Sequence, residues 1–235
     1  MAVTHRTDTV TAHDGGELTA LVALPEGGGG PGVLLLHEIM GINDYIELAA
    51  DRLADLGYVV VVPDLFWRID PEHPLPSDEE GLAEALGRVA ELDFEEAVRD
   101  ADAALAHLSN LEEVTGSVAV LGFCMGGTLA FGVAIRSEPD AVVSYYGSGV
   151  ADALAGAGAV DCPVLFHFGG RDEYIPIEQV EAVQAAFADR ADVAVHVYDD
   201  AGHAFDNPSR LFHQPAAAET AWGRTVDFLR RTIGG

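Results

Sequence analysis

Six short apolar runs recur along the chain, and their spacing is what most constrains its fold. They are GVLLLHE (32–38), YVVVVPD (58–64), VAVLG (118–122), AVVSYY (141–146), PVLFHFG (163–169) and VAVHVY (193–198). Continuous apolar runs of about four to eight residues read as strands covered on both faces, as in a parallel sheet. Between them lie segments with helical spacing. Asn43 to Leu56 carries Ile46, Leu53 and Leu56 on one side, residues 79–108 hold two helical patterns, and 176–188 and 216–232 complete the set. ELTALVALP (17–25) reads as an early strand with 7–12 as its candidate partner, and 65–78 as an irregular, proline-bearing loop. Strands alternating with helices predict an α/β fold with a mostly parallel central sheet and helices on both faces. Such sheets bind ligands at the carboxyl ends of their strands. No internal repeat or dividing linker interrupts the 235 residues, so a single domain over 1–235 is expected.

Charge narrows the partners. The formal net charge is -27, and every basic residue besides histidine is arginine. A surface this acidic repels nucleic-acid phosphates and anionic lipid, so neither is an expected partner. The acidity fits solubility at high ionic strength, and equally a codon usage rich in Arg, Ala, Gly and Asp. MAVTHRTDTVTAHDGG has no apolar leader core and no stretch is long enough to span a bilayer, so a cytoplasmic protein with reduced thiols is expected. Cys162, just before Pro163 and an apolar run, reads as packing. GGGGPG (27–32) lacks the Lys-Ser/Thr of a phosphate loop and reads as a turn ahead of a strand. His167 and His196, inside strands, read as core or face residues.

The second thiol sits elsewhere. Gly122-Phe123-Cys124-Met125-Gly126 has the spacing of a nucleophile elbow, G-x-S-x-G, with cysteine in place of serine. A strand before it and a helix after it would aim a helix N-terminus at the sulfur, favouring the thiolate. The Met125 amide would face an oxyanion. Strand PVLFHFG is followed by GRDEYIP, which sets Asp172 beyond its carboxyl end, and VAVHVY by DDAGHAF, which sets His203 one strand further on. Nucleophile, acid and base therefore follow the chain order of an α/β-hydrolase. In that arrangement His203 takes the thiol proton and Asp172 fixes its tautomer. Asp199 and Asp200 are rival carboxylates, but they lie on the histidine's own loop. A zinc reading of His37-Glu38 fails because Gly41 stands where the second histidine is needed.

With LLLHEIMGIND, VVPDLF, LGFCMGG, SYYG, GGRDEYIP and AGHAFDN in that order, the chain resembles the dienelactone hydrolase family over about residues 7–232. The resemblance implies an α/β-hydrolase fold without a large cap and a hydrolase of lactones or activated esters, with no cofactor and no metal. It implies Cys124, Asp172 and His203 as the triad and a Glu38 that hydrogen-bonds the resting thiol and helps remove its proton. It also implies Ile39 as the second oxyanion amide beside Met125. The family grips a substrate carboxylate with arginines, one of them four residues beyond the histidine, where this chain has Asn207. Arg210, Arg68 and Arg88 are the candidate substitutes. Tyr45, Phe66, Trp67, Tyr145 and Phe205 are candidates to line an apolar pocket. A non-catalytic thiol protein and a general carboxylesterase remain as alternatives.

Overall fold

β-Branched and leucine-rich runs bury both faces of a strand at once. Val33 to Leu36 and Val59 to Val62 are wholly inaccessible to solvent, each side chain contributing about 1.5–3 kcal/mol relative to exposure. The computed structural model describes residues 3–71, 73–209 and 211–235. Its strands are β1 (Thr4–Thr11), β2 (Glu17–Leu24), β3 (Gly30–Leu36), β4 (Val59–Pro63), β5 (Val114–Phe123), β6 (Ala141–Tyr145), β7 (Val164–Gly169) and β8 (Val193–Tyr198). They form one sheet in the order β1-β2-β4-β3-β5-β6-β7-β8. The early strand pairs with its expected partner, Thr7 opposite Leu21, and both β1–β2 and β2–β4 are antiparallel. From β4 to β8 every pairing is parallel. This is the α/β-hydrolase fold.

Helices α1 (Asp44–Asp55), α2 (Glu79–Glu91), α3 (Phe94–Ser109), α4 (Met125–Arg136), α5 (Ile177–Ala186) and α6 (Pro215–Thr232) fill the connections. The starts of α1, α2 and α3 carry side-chain caps that satisfy amides lacking an intrahelical acceptor. Asn43 Oδ1 accepts from Tyr45 and Ile46, and Asp93 Oδ1 from Glu95 and Glu96. A 3₁₀ segment, Ala151–Ala159, follows β6 and was not expected from the sequence. Cys162 is buried in the core, and both thiols are free.

Register brings the reactive loops to one edge. Leu36 lies opposite Gly122, Phe123 opposite Tyr145, and Gly169 opposite Tyr198. Glu38, Cys124, Asp172 and His203 thus all follow the carboxyl ends of neighbouring or near-neighbouring strands.

Candidate active site

Cys124 is the single residue between β5 and α4, and its backbone is strained, with φ 53° and ψ -117°. A non-glycine residue there costs on the order of 1–3 kcal/mol, so its surroundings must impose it. The Cys124 amide donates to the Tyr145 carbonyl at 3.0 Å, and its carbonyl accepts from Thr128 at 3.1 Å. The turn closes because no side chain intervenes. A Cβ on Gly122 would overlap the Gly126 carbonyl, and one on Gly126 would overlap the Leu36 carbonyl. The amides of the first turn of α4 have no intrahelical acceptor, and they lie next to the sulfur.

The sulfur is met by an imidazole. His203 Nε2 lies 3.1 Å from Cys124 Sγ, and His203 Nδ1 lies 2.8 Å from Asp172 Oδ2. The other Asp172 oxygen accepts from the amides of Tyr174 (2.8 Å) and Ile175 (3.2 Å), so the carboxylate cannot rotate away. The Asp172 side chain is fully buried and that of His203 12% exposed. Tyr174 and Tyr146 flank the imidazole, with ring centroids 5.0 and 5.2 Å away. Burial opposes charge on His203, yet the Cys124 thiolate and the Asp172 carboxylate outweigh it and raise the imidazole to about 10.

Glu38 sits just past β3 and is almost completely buried. Burial pushes its carboxyl up to about 7, against the lowering pull of a hydrogen bond from Asn207 and of the charge on His203. Asn207 Nδ2 donates to Glu38 Oε1 at 2.8 Å. The expected Glu38–thiol hydrogen bond is absent among the described residues. The sulfur bonds to His203 instead, and the carboxylate bonds to Asn207. Neighbouring His37 pins this loop: its Nδ1 lies 2.7 Å from the Glu38 carbonyl, while Nε2 accepts from the Leu65 amide at 3.0 Å. An imidazole that accepts at one nitrogen is neutral, so His37 is a strut and not a metal ligand. Among the described residues, no group of three or more His, Cys, Asp or Glu could hold a metal ion.

A cavity of about 130 Å³ opens over the thiol, lined by Glu38, Ile39, Cys124, Met125 and His203. Its outer wall is apolar. Leu82, Leu86 and Val89 recur on one face of α2 and meet Met40, Phe94 and Phe212.

The expected substrate contacts are not brought there. Arg68 lies on Trp67 and bonds to Asp14 (2.8 Å) and Asp100 (3.1 Å). Arg88 is buried between the His73 carbonyl (2.7 Å) and Asp70 (2.5 Å). It lines, with Phe66, a separate cavity of about 320 Å³ that includes neither Cys124 nor His203. Tyr145 is fully buried with its hydroxyl 2.6 Å from Thr225 Oγ1, and Phe205 is buried against Tyr146 and Tyr198. Trp67 donates to Asp100 at 2.8 Å and Tyr45 to Asp206 at 2.9 Å, so neither ring lines the thiol cavity. In each case a buried or partly buried polar group found a partner elsewhere, as burial demands. Asn207 reaches the site through Glu38 and does not line the cavity. Arg210 lies outside the described residues. The wall from α2 and the flanking Tyr146 and Tyr174 were missed by sequence reasoning. The apolar spacing on α2 was visible, but not what it would face.

The profile of the dienelactone hydrolase family matches residues 18–233. The chain belongs to the dienelactone hydrolase family. A carboxymethylenebutenolidase from a Pseudomonas species is 36% identical over 95% of this chain and 94% of its own length. Another, from Rhodococcus opacus, is 33% identical over 91% of this chain and 87% of its own. Among solved structures, a putative dienelactone hydrolase from Klebsiella pneumoniae superposes with a TM-score of 0.84 at 24% identity, over 98% of this chain and 100% of its own, a likeness of fold. A dienelactone hydrolase-like promiscuous phosphotriesterase from metagenomic libraries gives 0.79 at 25% identity, over 98% of this chain and 99% of its own. Membership in the dienelactone hydrolase family makes the chain a hydrolase of the carboxylic-ester class. No helix among the described residues of this dienelactone hydrolase family member is long and apolar enough to cross a membrane.

Proposed function

We propose that the protein hydrolyses lactones or activated esters through a thioester formed on Cys124, with His203 and Asp172 completing the triad. The observation that carries this reading is the unbroken chain of hydrogen bonds from sulfur to imidazole to carboxylate, at 3.1 and 2.8 Å. In the first half-reaction the thiolate adds to the carbonyl carbon and the π electrons move to oxygen. The Ile39 and Met125 amides receive that oxyanion, each donor being worth about 3 kcal/mol in related sites. The tetrahedral adduct collapses, the C–O bond to the leaving group breaks, and the departing oxygen takes its proton from His203.

Water then attacks the thioester, gives its proton to His203, and the second collapse returns the thiolate. An enolate or phenolate leaves readily, which suits a thiolate that is itself a good leaving group. While the thioester exists the thiolate charge is gone. Asp172 and an ionised Glu38 are then the anions that favour the imidazolium, which is the role we assign to Glu38. A nucleophilic thiol is maintained best in a reducing compartment, consistent with a cytoplasmic setting.

The test is covalent. Protein quenched during turnover of p-nitrophenyl acetate should carry one acetyl group, on the peptide containing Cys124. Turnover without that adduct, or with the adduct on another residue, rejects the mechanism.

A second expectation concerns Asn207, a positioning residue. Its hydrogen bond lowers the Glu38 pKa, so Asn207→Ala should raise it and move the lower limb of the kcat pH profile upward for a substrate whose thioester hydrolysis is rate-limiting. An unmoved limb would separate Glu38 ionisation from the reaction.

A further inference from the structure

The space over Cys124 measures about 130 Å³, room for a reacting ester and one small substituent. Sites that enclose a whole organic ligand commonly measure about 300–1,000 Å³. A longer substrate would therefore extend beyond it. A groove of about 840 Å³ begins beside this space. Phe94, the first residue of α3, borders both, and Ser148 of the catalytic cavity is followed in the chain by Gly149 of the groove. The groove runs along α4, the helix that starts at the nucleophile. Thr128, one turn beyond Cys124, lines its near end, and Arg136 lines it about 12 Å further along the axis.

The near end is fixed by the Gly149 amide, which donates to Thr128 Oγ1 at 3.0 Å. Val98 of α3, Ile135 of α4 and Ala153 of the 3₁₀ segment give the groove apolar walls, while Glu95, Asp152 and Arg136 are exposed at its rim. The Phe94 side chain between the two spaces is 39% exposed, and exposed side chains change rotamer within nanoseconds. A hydrocarbon chain laid against such walls gains the free energy of leaving water, without needing a directional contact. We propose that the groove is a second subsite, which takes an unbranched apolar chain of a substrate whose ester lies over Cys124. The protein then hydrolyses esters bearing an extended hydrocarbon chain as well as small lactones. This rests on the hydrolase reading above and adds a substrate class to it.

Two arms of the test place the chain on either side of the ester: p-nitrophenyl octanoate against p-nitrophenyl acetate, and 4-octylphenyl acetate against phenyl acetate. In one arm the long chain should raise kcat/KM by about tenfold or more, chiefly by lowering KM, since each buried methylene is worth up to about fourfold. Ala153→Phe, which fills the groove, should cut that gain by about fivefold or more and leave p-nitrophenyl acetate within about twofold of the parent. Binding is read independently of that variant in Cys124→Ala, by NMR contacts between the chain of the intact long ester and the methyl groups of Val98 and Ile135. The subsite is overturned by the absence of a gain in both arms, by a gain that a folded Ala153→Phe protein retains, or by chain contacts to Leu82 and Val89 of α2 in place of the groove methyls. Hydrolysis of the two short acetates keeps the hydrolase reading standing in each of those cases. If none of the four esters is hydrolysed, the hydrolase reading falls, and the subsite with it.

Discussion

Cys124→Ala is expected to lower kcat/KM for aryl esters and lactones by at least about a thousandfold, measured by initial rates on the purified variant. The alanine removes the sulfur that His203 Nε2 meets at 3.1 Å, and among the described residues no hydrogen bond joins Ser148, which also lines the cavity, to that nitrogen. His203→Ala should cost nearly as much, since it removes the base for the second half-reaction. The double variant should be no worse than either single one, because residues that act as a unit are not additive. A spectroscopic reading accompanies the kinetic one. The Cys124 thiolate is the largest influence raising His203. Its removal should bring the imidazole down from about 10, with the shift followed by NMR titration of that ring. A Cys124→Ala protein that retains parental rates, or an imidazole that titrates identically in both, would reject the coupling of sulfur and imidazole.

The second large effect falls on stability. Gly126→Ala should destabilise the fold by about 3 kcal/mol or more, a large share of the roughly 5–15 kcal/mol available to a domain. The added Cβ would overlap the Leu36 carbonyl and approach that of His37 at 2.7 Å. Both are backbone atoms at the end of a central strand, so neither can swing aside as a side-chain tip could. Gly223→Ala provides the contrast. Gly223 lies within α6 with nothing near its Cβ position, so alanine there should stabilise by about 0.5–1 kcal/mol. Urea midpoints at unchanged slope would report both values. A Gly126→Ala protein as stable as the parent would mean that the elbow is looser than described.

Much of this was legible before any tertiary contact was known. The parallel strands announced themselves because a strand covered on both faces cannot alternate, and β3, β4, β6 and β7 are buried along nearly their whole length. The order of Cys124, Asp172 and His203 could be read because each sits within a few residues of a strand's carboxyl end. The Ala151–Ala159 segment was not legible. Its alternating alanines and glycines carry no apolar period, and none of its residues is buried. The arginines were misplaced for a different reason. Asp100 lies on α3 and Asp14 in the β1–β2 turn, and nothing in the neighbourhood of Arg68 along the chain names either as its partner.

Periodicity and local spacing thus determined the sheet, the tight turn at the thiol and the placing of Cys124, Asp172 and His203 just beyond strand ends, because those features are set by neighbours along the chain. Tertiary structure alone decided that Asn207 holds Glu38, that α2 walls the cavity with leucines, and that Arg68 and Arg88 are held elsewhere. Such pairings depend on which segments meet across space. A buried charge or amide binds whatever partner the packing delivers, however distant in sequence.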